Sequence, residues 1–197
     1  MTGADRAGDG APPAGTAMGG GHSSPHGRPG VGARPAGPAR ARWPLFIGLA
    51  GMILVVDQIV KAWVVGAYQV NTVTPIAGDL VRIALTHNTG ALFGMFRDSA
   101  ILFAIFSIGV IALIVGYEAR AGKALVVTLA LGLLLGGALG NLVDRLRFGY
   151  VVDFVDMGIG AWRWYTFNVA DAAISTSVVL LIALALIPGL AGSADDD

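Results

Sequence analysis

Hydrophobic residues fall along this chain in four long runs, separated by polar stretches of very unequal length. The first run, residues 43–65, is long enough to cross a hydrocarbon core of about 30 Å at about 1.5 Å per helical residue. Asp57 and Lys61 interrupt its second half. The second and third runs, about 99–117 and 124–142, are separated only by the charged stretch 118–123, which predicts a tight helical hairpin. A fourth run covers about 169–187, and Pro188 and Gly189 suit its stop. Between the first and second runs, residues 66–98 are too many for a hairpin turn and too polar for a span. Within them, residues 71–86 mix β-branched side chains with a Gly78-Asp79 turn, predicting a small β-hairpin or sheet on the outer surface. Such a sheet is a platform for an extended peptide, because strand addition supplies main-chain hydrogen bonds. The segment continues into a tight turn at the membrane surface around His87, Asn88 and Gly90. The pattern as a whole predicts an all-α membrane protein: four transmembrane helices with a small extracytoplasmic β-rich segment between helices 1 and 2. No internal repeat is visible, since loop lengths and charged positions differ between the halves, which argues against an inverted-repeat transporter.

Residues 1–42 are rich in Gly, Pro and Ala and hold almost no large apolar side chains, so they read as a disordered tail. The membrane domain is then 43–189, followed by a short acidic tail, 190–197. A secretory signal peptide would carry a shorter apolar core nearer the start, so the first run is expected to stay as an uncleaved helix. Arg28, Arg34, Arg40 and Arg42 precede the first span, and Arg120 and Lys123 lie in the turn between the second and third. Basic flanks favour the cytoplasm, which places both termini there. Arg82, Arg97, Arg145, Arg147 and Arg163 on the opposing side make this bias modest, but an even number of spans keeps the ends together.

Composition agrees with the pattern: of 197 residues 55% are hydrophobic and 13% charged, with a mean hydropathy of +0.70. Net charge is zero and no basic stripe is present, so nothing points to a nucleic-acid partner and none is expected. Cysteine is absent, so disulfides, thiolate metal sites and a cysteine nucleophile are excluded. The histidines, His22, His26 and His87, are too scattered for a zinc site. Chemistry is left to carboxylates, hydroxyls, amides, Lys and Arg, with no metal and no cofactor expected.

Those groups concentrate at two helix mouths within residues 136–171. Asp57 and Lys61 lie one helical turn apart on a single face, which must point into the bundle; an intramembrane ion pair and direct substrate contact are both open to them. Gly132, Gly136 and Gly140 form a small-residue stripe for close helix packing. Asn141, Asp144 and Arg145 project from one side of the third helix's outer end, where polar residues also occur simply because they reach water. A matching amide and acid, Asn168 and Asp171, opens the fourth helix. Residues 151–156 read as an interfacial loop, returning through Trp162, Trp164, Tyr165 and Phe167. That loop lets Asp153 face Asp171. Two carboxylates held close share a proton, the arrangement that cleaves an amide by activating water without a nucleophilic side chain. The ordinary alternatives are a first-turn acid for Asp171 and a loop cap for Asp153. Two other functions compete: a proton-coupled transporter or channel relaying through Asp57, Asp144 and Asp171, and a non-enzymatic membrane scaffold.

At these residues the chain resembles the signal peptidase II family of bacterial membrane aspartyl peptidases. The resemblance covers roughly residues 45–187 in five motifs: Asp57-Gln58-Ile59-Val60-Lys61, Asn88-Thr89-Gly90-Ala91-Leu92-Phe93, Gly137 to Arg145, Val151-Val152-Asp153-Phe154 and Phe167-Asn168-Val169-Ala170-Asp171. It implies cleavage of prolipoproteins just before a diacylglyceryl-modified cysteine, at the extracytoplasmic face of a bacterial cell membrane, by a monomer surrounded by membrane lipid. It also implies Asp153 and Asp171 as the catalytic pair, with Asp144 a rival for the first role. Asn88, Gly90, Asn141, Asp144, Arg145 and Asn168 would support the site or hold substrate, and Asp57 with Lys61 would buttress it. The long Gly/Pro/Ala tail departs from the family pattern.

Overall fold

The computed structural model of this chain describes residues 42–89, 100–121 and 124–187. Outside them lie the expectations for the N-terminal tail, for Gly90, for the Pro188-Gly189 stop and for the acidic end; of the tight turn expected around His87, Asn88 and Gly90, His87 and Asn88 instead belong to the strand Val81–Asn88, where they pair with Val152 and Val151. Among the described residues, four helices are long and apolar enough to cross a membrane: α1 (Trp43–Ala67), α2 (Ala100–Ala121), α3 (Leu125–Phe148) and α4 (Val169–Leu186). The four-span class read from the hydrophobic pattern is the one observed.

Helix α3 is the central element, because 56% of its apolar window is buried against 17–22% for the other three. Its glycines explain how. A Cβ on Gly136 would lie 2.7 Å from the Ala50 carbonyl of α1, and one on Gly137 would lie 2.5 Å from the Ala170 carbonyl of α4. Only hydrogen fits at either contact, so α3 receives a neighbour's backbone on each side. A Gly137→Ala substitution therefore has to push α4 away, at a cost of about 1–3 kcal/mol. It is expected to lower the melting temperature and to reduce activity by displacing Asp171, one residue beyond the contact. Gly132→Ala, whose nearest atoms would lie at 3.1–3.2 Å, is the milder control. Equal effects from the two would show that this contact does not position α4.

Helix ends follow local chemistry. Helix α3 stops at Gly149, which takes the left-handed conformation (φ 77°) that costs glycine no strain, and Arg145 and Arg147 occupy its last turn, where the helix dipole favours cations. Helix α4 starts in a capping box between Asn168 and Asp171.

The sheet is larger than the predicted hairpin. Strands β1 (Val73–Ala77) and β2 (Val81–Asn88) come from between α1 and α2 as expected, but β3 (Val151–Ile159) and β4 (Trp162–Arg163) come from between α3 and α4. The strands pair antiparallel in the order β1-β2-β3-β4. The interfacial loop expected at 151–156 is therefore a strand. Its run Val151-Val152-Asp153-Phe154 is buried on both faces, so the sequence shows no alternation to betray it. Val152 and Phe154 pack with Leu85 on Val64 of α1, fixing the sheet to the bundle. The predicted charged turn at 118–123 also shifts: Glu118 lies inside α2, buried, and accepts a hydrogen bond from Thr128 Oγ1 at 3.2 Å.

Candidate active site

Polar side chains from α1, α3, α4, β2 and β3 meet in one network where α3 ends and α4 begins. Two asparagines organise it. The Asn168 Oδ1 accepts the backbone N–H of Asp171 at 2.9 Å, and the Asp171 Oδ2 accepts that of Asn168 at 3.3 Å. With its oxygen committed to the cap, the Asn168 amide nitrogen must turn the other way, where it donates to Asp153 Oδ1 at 2.7 Å. Asn141 is constrained likewise. Its Oδ1 accepts from Lys61 Nζ at 3.3 Å and from Asn168 Nδ2 at 3.2 Å, and its own Nδ2 donates to Asp171 Oδ1 at 2.7 Å. Lysine can only donate, so the orientation of the Asn141 amide is not free to reverse. Each asparagine thus presents an N–H to one carboxylate. From the sheet, Asn88 Nδ2 donates to the second oxygen of Asp153 at 2.9 Å.

Asp153 is 2% exposed, near the start of β3. Burial, and then the charge of Asp171, push its carboxyl up to about 7, against the pull of the Asn88 and Asn168 hydrogen bonds and the Lys61 charge. The sign follows directly: Asp153 keeps its proton below about pH 7 and loses it above. If a protonated Asp153 is needed, cleavage falls as pH rises through about 7, and a rate measured across pH 5–9 that stays flat on the alkaline side would exclude Asp153 as the acid.

Beneath this pair lies a second, drier layer. Lys61, 3% exposed, forms ion pairs of 2.8 Å with both Asp57 and Asp144, which are 0% and 1% exposed. Asp57 also accepts the Ala170 N–H at 2.9 Å, and Asp144 accepts the Val152 N–H at 3.0 Å. One lysine therefore ties α1 to α3, while its two carboxylates hold the first turn of α4 and the start of β3. Of the two openings left for Asp57 and Lys61, the buried ion pair is the one the geometry fits. The same contacts separate Asp144 from Asp153: its oxygens are committed to Lys61, Val152 and Gln58.

Gln58 is the residue that sequence reasoning passed over as a site member. Its Nε2 donates to Asp144 Oδ1 at 2.9 Å, Asp57 Oδ2 at 3.2 Å and the Gly140 carbonyl at 3.3 Å. A polar amide beside Asp57 in an otherwise apolar span was the available signal. Arg145 departs from the expected grouping. Spacings of three and four residues set Asp144 and Arg145 to opposite sides of Asn141, about 100° apart on the helix. Arg145 accordingly donates to the Asn141 carbonyl at 3.2 Å and lies 5.6 Å from the Phe103 ring of α2. Gly90 lies outside the described residues.

Two further features frame the cluster. An apolar cleft of about 580 Å³ runs between α2, α3 and α4, lined by Phe103, Phe106, Val110, Leu134 and Ile174, with Ser107, Asn141 and Arg145 as its polar members. At the far end of the sheet, Asp156 accepts from Arg82 at 2.6 Å and from Arg163 at 2.9 Å. Burial opposes its ionisation, but the hydrogen bonds and charges of Arg163 and Arg82 outweigh it and hold the carboxyl below its usual range.

Comparison with known proteins meets this geometry. The family model described as signal peptidase (SPase) II matches residues 49–187. Lipoprotein signal peptidase of Moorella thermoacetica is 39% identical over 144 residues, 73% of this chain and 93% of that protein. That of Burkholderia mallei is 35% identical over 151 residues, 75% of this chain and 89% of that protein. Two solved structures described as bacterial membrane enzymes superpose with TM-scores of 0.71 and 0.69 at 26% and 28% identity. They cover 81% and 76% of this chain and 97% and 96% of theirs.

Proposed function

The chain belongs to the signal peptidase II family, and on that premise we propose that Asp153 and Asp171 are its catalytic pair. It is a multi-pass membrane protein and an aspartic-type peptidase that removes signal peptides from prolipoproteins. The observation that carries the assignment is Asn168, which bonds Asp153 through its amide and Asp171 through its cap, and so holds the two carboxylates on either side of one side chain.

Asp171 acts as base and Asp153 as acid. Ionised Asp171, supported by the Asn141 N–H and the backbone N–H of Asn168, takes a proton from a water molecule. The hydroxide attacks the scissile carbonyl while protonated Asp153 gives its proton to the carbonyl oxygen, forming a neutral gem-diol. The C–N bond then breaks: Asp171 passes its proton to the departing nitrogen, and a gem-diol hydroxyl returns one to Asp153. The pair ends as it began, so the dyad itself supplies both proton transfers.

The substrate is a diacylglyceryl-modified prolipoprotein, cut just before the lipidated cysteine. The apolar cleft supports this, since it offers hydrocarbon contact up to Asn141, whose amide bonds Asp171. The basic flanks of the first span and the even number of spans support cytoplasmic termini and a site at the extracytoplasmic face. Asp57 and Asp144, both pinned on Lys61, make poor stations for a proton relay, which counts against a transporter.

The direct test uses purified protein, a diacylglyceryl-modified prolipoprotein and the same protein without its lipid. A gel shift only for the lipidated form is expected. Equal cleavage of both would remove the lipid from the recognition, and no cleavage of either by folded protein would overturn the activity.

A further inference from the structure

The far end of the sheet carries an apolar surface that the proposed chemistry does not use. Side chains alternate along a strand, so Asp153, Val155, Met157 and Ile159 share one face of β3. Ile159 pairs with Trp162, and the Trp164 N–H donates to the Met157 carbonyl at 2.7 Å, which brings both tryptophans alongside that row. Trp162 is 88% exposed, Ile159 73%, Trp164 72% and Leu80 53%, and with Met157 and Phe167 they border an open groove of about 670 Å³. A contiguous patch of this kind marks an interaction surface.

The patch is not a floppy tip. Arg82 and Arg163 grip Asp156 from two strands, and the Gly160 N–H donates to Asp79 Oδ2 at 2.6 Å, joining the β1–β2 turn to the β3–β4 turn. Nor is it far from lipid. The hairpin leaves α3 at Phe148, enters α4 at Val169, and both helices have membrane-spanning length and hydropathy. Around this end of the bundle, Trp63 near the end of α1 is 59% exposed, Phe148 at the end of α3 is 45% exposed, and Tyr165 just before α4 is 61% exposed. Amphipathic Trp and Tyr rings at span ends, here Trp63 and Tyr165, mark the level of the lipid headgroups, and the hairpin row continues that belt.

We propose that the β3–β4 hairpin end is a membrane foot. Trp162, Trp164, Ile159 and Leu80 rest in the headgroup–acyl boundary of the leaflet next to the site, and this contact holds β3, and with it Asp153, at the bilayer surface. The lipid contact rests only on the spans. Its consequence for Asp153 rests on the proposed catalytic pair.

The test places the full-length protein in phospholipid nanodiscs, in variants that keep only Trp162 or only Trp164 of the four tryptophans. Blue-shifted emission, quenched by brominated phospholipid and shielded from aqueous iodide, is expected for both. Water-like emission quenched by iodide alone would overturn the proposal and leave the patch as a surface for a soluble partner. A W162S/W164S variant is expected to cleave lipidated substrate several-fold more slowly in nanodiscs, with its melting temperature retained. An unchanged rate there would overturn the positioning role. Quenching requires no catalysis, so a protein that is quenched but cleaves nothing would sink the peptidase mechanism and leave the foot standing.

Discussion

Replacing Asp171 or Asp153 with Asn is expected to lower the rate of prolipoprotein cleavage by at least about 10³-fold while the protein stays folded in the membrane. The exchange is nearly isosteric and removes the ability to carry a proton in and out of the reaction, at the cost of one accepted hydrogen bond, since both oxygens of each carboxyl now accept an N–H. At Asp153 it also removes a carboxyl whose ionisation is opposed by burial and by Asp171. The folded state holds this proton more tightly than the unfolded chain does. The protonated carboxyl therefore favours the fold at low pH, and that advantage disappears as pH rises from about 4 through about 7. Asp153→Asn should accordingly lose less melting temperature than the parent between pH 5 and pH 8 while being inactive, a combination a merely structural aspartate would not show. Asp144→Asn divides the roles: if it abolished cleavage while Asp153→Asn remained active, the pair would be Asp144 with Asp171.

Lys61→Met is expected to be the most destabilising single change in the network. It leaves Asp57 and Asp144, both essentially inaccessible to water, without the cation that each now meets at 2.8 Å. Removing one partner from a buried ion pair costs roughly 3–5 kcal/mol, because the remaining charge has neither water nor counterion. It also frees the oxygen of Asn141, so the amide that faces Asp171 loses one of the two donors fixing its orientation. Thermal unfolding in detergent should show a large fall, and activity should fall with it. Adding Asp144→Asn to Lys61→Met neutralises one of the stranded carboxylates and should recover part of the melting temperature. A single variant that melts within a degree of the parent would show that the lysine does not hold α1 to α3.

The parts of this protein legible in its sequence are those whose physics is local. An apolar run of span length has one stable solution in lipid, so α1, α2, α3 and α4 could be located directly. The Gly78-Asp79 turn between β-branched segments marked β1 and β2. The glycine stripe of α3 and the Asn168-Asp171 helix start were equally local signals. Strand β3 was missed because Val-Val-Asp-Phe-Val is buried on both faces and has no polar alternation, so its hydrophobicity resembled that of a loop dipping into lipid. Glu118 was misplaced because a charge between two apolar runs normally marks water, whereas here Thr128 and the neighbouring helix enclose it.

By itself, then, the sequence determined four spans, an antiparallel hairpin, the residue types available for chemistry and the membership of a peptidase family. Which carboxylates are free to act was decided only in three dimensions. Asp57, Asp144, Asp153 and Asp171 are the same functional group, and apart from the family resemblance nothing local distinguishes them. Their partners do: Lys61, 80 residues from Asn141 along the chain, consumes the first two and orients the amide facing the fourth. Asn88, 65 residues from Asp153, reaches the third across the β2–β3 ladder. The charge state of a buried carboxyl depends on what surrounds it, and those surroundings are assembled by long-range packing.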